Sequence, residues 1–194
     1  LGQVDDFVVR NAGFVQRALQ RLEQRRENQP SPIQYNTGET FYLLGKPLSL
    51  RVVPGQREGV YVQGRTLCLQ TKEPDNFGRK QRLMSRFRDE QCRLVFGKWM
   101  QGVYPAFQPY GIPEPTWRMR DMKSRWGSCM PQKGIITLNK RLWEVPEACI
   151  EYVVVHEFCH FLQPNHSPAY YAVLERHLPD WKERKQRLNH RELW

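Results

Sequence analysis

The chain has 194 residues, enough for one domain with a small appendage. Hydrophobic residues make up 40%, enough for a core, and no run of eighteen apolar residues occurs, so no membrane-spanning helix is expected. A net charge of +10 predicts attraction to polyanions, while five scattered cysteines without a CxxC pair argue against a disulfide framework and for a reducing, cytoplasmic setting.

In chain order, residues 4–28 carry Phe7, Val8, Phe14, Val15, Leu19 and Leu22 at helical spacing, with Arg17, Arg21, Arg25 and Arg26 on the polar side. The loop chemistry of "NQPSP" (Asn28–Pro32) ends this segment. Residues 39–71 hold four short runs rich in β-formers, punctuated by glycine and proline, which predicts a four-stranded β-meander. From Asn76 to Phe107 the pattern is helical again, with an apolar stripe of Phe77, Met84, Phe87, Leu94, Val95, Trp99 and Val103 among arginines. "PAFQPYGIPEP" (Pro105–Pro115) is expected to stop it. "TWRMRDMK" (Thr116–Lys123) and the β-branched "GIITLN" (Gly134–Asn139) read as strands of an antiparallel hairpin with a turn-rich connection, and "GIITLN" as a sheet edge able to take an extended peptide by β-augmentation. The expected organisation is a helix and linker over 1–32, a meander over 33–74, and a core over 75–194 that forms one unit with the meander.

The next segment carries the chemistry. Pro146 suits the first position of a helix running through "EACIEYVVVHEFCHFL" to about Gln163, where Pro164 ends it. His156 and His160 lie four residues apart, so both imidazoles leave one face and can reach one ion. Glu157 sits between them, rotated by about 100 degrees, flanking that ion without ligating it. This is the HExxH pattern: two zinc-binding histidines and a glutamate that activates water. A bare HExxH also arises by chance. Here the helix is strongly apolar, so the polar side chains are expected to be part-buried and to need partners. A third histidine, His166, follows a "QPNH" turn that can fold it back to the same ion. Glu175 is the alternative third ligand. Asp121, Glu151 and Asp180 are candidate acceptors for the ligands' outer nitrogens. His177 and His190 read as ordinary histidines, Cys159 as core, and Trp126, Gly127 and Ser128 as a packed turn. Arg125 or Lys123 is an alternative oxyanion stabiliser.

The residues "RWGSC" (Arg125–Cys129), "GIITLN", Leu142, Pro146, "YVVVHEFCH" (Tyr152–His160) and "NHS" (Asn165–Ser167) together resemble the YgjP-like metallopeptidases of the zincin superfamily, and more distantly the SprT-like and WLM metallopeptidases. The family pattern has Phe-Trp where this chain has Tyr170-Tyr171. The resemblance implies an α+β zincin-like fold with helices packed on a mixed β-sheet, zinc as cofactor, His156, His160 and His166 as metal ligands, and Glu157 as catalytic base. The His spacing equals that of the metzincins, but Gln163-Pro164 replaces the glycine their longer motif needs. The expected activity is hydrolysis of a peptide or protein. The alternatives are zinc-dependent hydrolysis of a nucleotide phosphoanhydride, or a SprT-like protease acting near nucleic acid. The basic surface is expected to bind nucleic acid or nucleotides only weakly, and no membrane partner is expected.

Overall fold

The computed structural model describes residues 32–190. The helix expected over 4–28 lies outside them. Residues Tyr35–Trp194 form one compact unit. Among the described residues no helix is long and apolar enough to cross a membrane.

The unit is α+β. Four strands come first: β1 (Thr40–Leu43), β2 (Lys46–Pro54), β3 (Gly59–Gln63) and β4 (Thr66–Thr71). β1–β2 and β3–β4 are antiparallel hairpins. Leu44 and Gly45 form the first turn, both at positive φ. A Cβ on Gly45 would lie 2.7 Å from Pro146 Cγ, so the turn needs glycine for space as well as conformation. The four strands do not make the expected meander. Their order is β1-β2-β4-β3, because β4 inserts beside β2 in parallel, Leu50 opposite Leu67. The reason is burial: Leu67, Cys68 and Leu69 are consecutive and all buried, as a strand covered on both faces requires. β3, with exposed Tyr61 and Val62, takes the edge instead.

α1 (Phe77–Phe107) follows, capped by Asn76 Oδ1, which accepts from the Arg79 N–H at 3.0 Å. Its buried stripe runs through Met84, Phe87, Cys92, Phe96, Met100, Val103 and Phe107. Phe77 and Leu94, expected in that stripe, are exposed. The helix ends, as expected, within the stretch Pro105–Pro115, and Pro105 itself does not break it. It sits in the last turn, and the chain leaves α-geometry through a 3-10 turn ending at Gly111 with φ 77°.

A second sheet holds β5 (Thr116–Arg120), β6 (Gly127–Met130) and β7 (Ile135–Asn139) in the order β5-β7-β6. β5 and β7 are parallel, and β6 is antiparallel to β7. The expected hairpin is therefore corrected: its connection contains a strand of its own, which takes the antiparallel place. "GIITLN" is the central strand rather than an edge, since Ile136, Thr137, Leu138 and Asn139 are all buried. The free edge on its other side belongs to β6.

α2 (Glu147–Cys159) is buried on nearly every side, packing against α1, β6, β7, α3 (Pro168–His177) and α4 (Trp181–Asn189). Phe158 stacks on Phe107 of α1 at 5.1 Å between ring centroids. Pro146 is the N-cap, one position before the expected one, and the α-helix ends at Cys159. Turns carry the chain on, Leu162 N–H to the Cys159 carbonyl and Gln163 N–H to the same oxygen. Arg184 of α4 donates to the Ala148 carbonyl and to Glu151, anchoring α4 against the first turns of α2.

Candidate metal centre

α2 presents His156 and His160 to a cleft of about 490 Å³. Both are half-buried, and their ring centroids are 5.0 Å apart. The turn through Pro164 and Asn165 folds the chain back, and Ser167 caps α3 by accepting from the Tyr170 N–H at 3.3 Å. His166, immediately before that cap, reaches ring-centroid distances of 5.0 Å from His156 and 4.8 Å from His160. One nitrogen from each of the three histidines lies within 4.8 Å of the others.

The outer nitrogens orient the inner ones. His160 Nδ1 is 3.2 Å from the Gln163 carbonyl, which only accepts, so Nδ1 carries the hydrogen and Nε2 keeps its lone pair. His156 Nδ1 is 2.6 Å from the Tyr170 hydroxyl, which is also 3.1 Å from the His156 carbonyl. The phenolic hydrogen goes to that carbonyl, so Nδ1 donates to the phenol oxygen and Nε2 again is the free lone pair. The Nε2 atoms of His156 and His166 are 3.1 Å apart. Two nitrogens about 2.05 Å from a tetrahedral ion stand roughly 3.3 Å from each other, so this pair has the spacing of two ligands on a small divalent cation. Burial, reinforced by the neighbouring His160, His166 and Lys185, lowers the His156 pKa to about 3. Burial also lowers that of His160. These two imidazoles are therefore neutral, the form a metal requires.

Glu157, the next residue along α2, lines the same cleft and is only 4% exposed. Burial raises its pKa to about 8, partly offset by the Arg125 guanidinium. Its place is made by Gly127 at the start of β6. A Cβ there would lie 2.4 Å from Glu157 Oε1 and 2.9 Å from Cδ. Gly127 is thus not a turn residue, as the sequence suggested, but the strand position over which the carboxylate lies. β6 and the residues before it form one wall of the cleft, through Arg125, Trp126, Ser128 and Cys129, while α4 contributes Lys185 and Asn189.

The other sequence candidates fall elsewhere. Glu175 is exposed on α3 and is not part of the histidine cluster, the one metal-sized group among the described residues. None of the three expected acceptors bonds a histidine of the cluster. Asp121 pairs with Arg88 at 3.2 Å, and Glu151 and Asp180 both pair with Arg184. Their work is done by Tyr170 and a backbone carbonyl. His177 stacks on Phe107 at 4.3 Å and bonds Tyr110, and Cys159 is buried in the core. Sequence reasoning passed over Tyr170 as an aromatic swap. The signal for it was there, since a hydroxyl was added at a position that adjoins the site.

A family model described as YgjP-like, metallopeptidase domain, matches residues 1–191. A search of curated proteins found no match. Among solved structures, the chain is similar to the crystal structure of the metallopeptidase zymogen of Pyrococcus abyssi abylysin. The TM-score is 0.43 and the identity 21%, over 48% of this chain and 90% of that one.

Proposed function

The chain belongs to the YgjP-like metallopeptidase family, and from that premise we propose that it is a zinc-dependent peptidase with His156, His160 and His166 as metal ligands and Glu157 as general base. The observation that carries the reading is the convergence of three imidazole nitrogens within 4.8 Å, beside a buried carboxylate, on the floor of an open cleft.

The ion, when bound, supplies a Lewis acid and lowers the pKa of water toward neutrality. Tyr170 and the Gln163 carbonyl hold His156 and His160 in the tautomer that offers Nε2. Glu157 takes the proton of the attacking water and returns it to the leaving amine. A buried carboxylate with a pKa raised toward neutrality suits both transfers, being readily protonated and readily deprotonated at working pH. β6 is the free edge of its sheet on the cleft wall, so an extended peptide pairing with it would run across the histidine face.

Two measurements test the reading. Elemental analysis of the purified protein should give about one zinc per chain. Glu157→Gln should keep that zinc and lose at least about 10²-fold in turnover of a peptide found by library profiling. Absence of any first-row metal after loading, or unchanged turnover in the variant, would refute it.

A further inference from the structure

A second, smaller recess of about 140 Å³ adjoins the catalytic cleft and shares Arg125 and Trp126 with it. Its remaining lining is Lys123, Ser124, Asn139 and Arg141. Every charged residue in this lining is a cation. Lys123, Arg125 and Arg141 are all exposed, and none forms an ion pair among the described residues. The nearest acidic residue in sequence, Asp121, is taken by Arg88. The recess is built rather than incidental. Asn139 is 2% exposed and clamps both sides of it. Its Nδ2 donates to the carbonyls of Met122 and Arg125, each at 2.8 Å, and its Oδ1 accepts from the Arg141 N–H at 3.1 Å. These bonds arch Lys123 to Arg125 over the end of β7 and hold Arg141 against them. Arg141 also lies over the Trp126 ring, 5.4 Å from its centroid.

Three cations that line one recess without an ion pair repel one another, Arg125 alone having a carboxyl, Glu157, in electrostatic reach, and an anion placed among them relieves that repulsion. The volume exceeds the roughly 30 Å³ share of one water several-fold, so a carboxylate with its hydration fits. We propose that Lys123, Arg125 and Arg141 form an anion subsite that takes a carboxylate of the peptide substrate while the scissile bond lies in the neighbouring cleft. The proposal rests on the peptidase reading and adds the substrate class: peptides with an acidic side chain, or their own C-terminal carboxylate, one or a few residues from the cut.

The test uses the zinc-loaded full chain and peptides in matched pairs, Glu against Gln at each position around the cut, and free acid against amide at the C-terminus. The expected result is a kcat/KM preference of about tenfold for one acidic member, the scale of a charge-assisted contact in a part-exposed site, shrinking as salt rises to about 0.5 M. The pair that carries the preference identifies the source of the carboxylate. Lys123→Gln and Arg141→Gln should each cut the preference several-fold, and Arg141→Gln should do so while leaving turnover of the neutral peptide unchanged. Arg125 is left intact because it faces Glu157. Equal rates within every pair, or a preference that both variants retain, overturn the subsite while leaving the peptidase reading standing. Failure of any peptide to be cut by zinc-loaded protein, with hydrolysis of a nucleoside triphosphate instead, overturns both. Should the variants not fold, the salt dependence of the wild-type preference decides alone.

Discussion

Gly127→Ala adds one carbon atom at the closest approach between β6 and α2. The new Cβ would stand 2.4 Å from Glu157 Oε1 and 2.9 Å from both Cδ and Cγ, against at least about 3.4 Å for ordinary contact. Relief therefore requires the carboxylate to move by roughly 1 Å, or β6 to retreat by as much. The β6 backbone is paired with β7 from Gly127–Leu138 to Met130–Ile135, so the side chain is the softer partner. A misplacement of about 1 Å in a reacting group costs about 10²-fold. Overpacking of a buried contact destabilises by about 1–3 kcal/mol. Kinetics on a verified peptide should therefore show kcat/KM down by about two orders of magnitude, with the melting temperature lowered by several degrees. Zinc affinity should stay near wild type, because the three atoms nearest the new Cβ all belong to Glu157. Wild-type kcat/KM in a folded Gly127→Ala protein would refute the argument that this glycine positions the base.

Tyr170→Phe removes one hydroxyl and leaves the His156 Nδ1 and carbonyl without their partner, so zinc affinity should fall by about 10–100-fold in a chelator competition. Tyr171→Phe is the control, and equal affinities for the two variants would show that the Tyr170 hydroxyl does not orient the ligand. His166→Ala should weaken zinc binding about as much as His160→Ala, whereas Glu175→Ala should leave it nearly unchanged, since Glu175 stands exposed and outside the cluster. Loss of metal from Glu175→Ala with retention in His166→Ala would make the third ligand a glutamate.

The sequence by itself determined the local features. Four-residue spacing places His156 and His160 on one face of any helix, and Pro146 and Pro164 bound that helix to within a few residues. The turn before His166 was legible because proline and asparagine allow few other conformations there. The existence of seven strands was partly legible too, though β6 hid in "SRWGSCMPQK", whose glycine and proline read as a turn. What the tertiary structure decided was adjacency. Whether β4 pairs with β2, or β7 with β5, depends on which surfaces the whole chain can bury, and local periodicity does not carry that information. The clue lay in continuous apolar runs: "TLCL" and "IITL" are central strands because both faces are covered, while "GVYVQ", exposed from Tyr61 onward, is an edge. Contacts across the chain were equally invisible. Gly127 lies thirty residues before Glu157, and nothing in "RWGSC" says that a carboxylate will rest on it. Asp121, Glu151 and Asp180 offered plausible chemistry for the histidines, yet each meets an arginine first. A phenol at Tyr170, brought in by the packing of α3 on α2, and the Gln163 carbonyl, in the turn that follows α2, do that work.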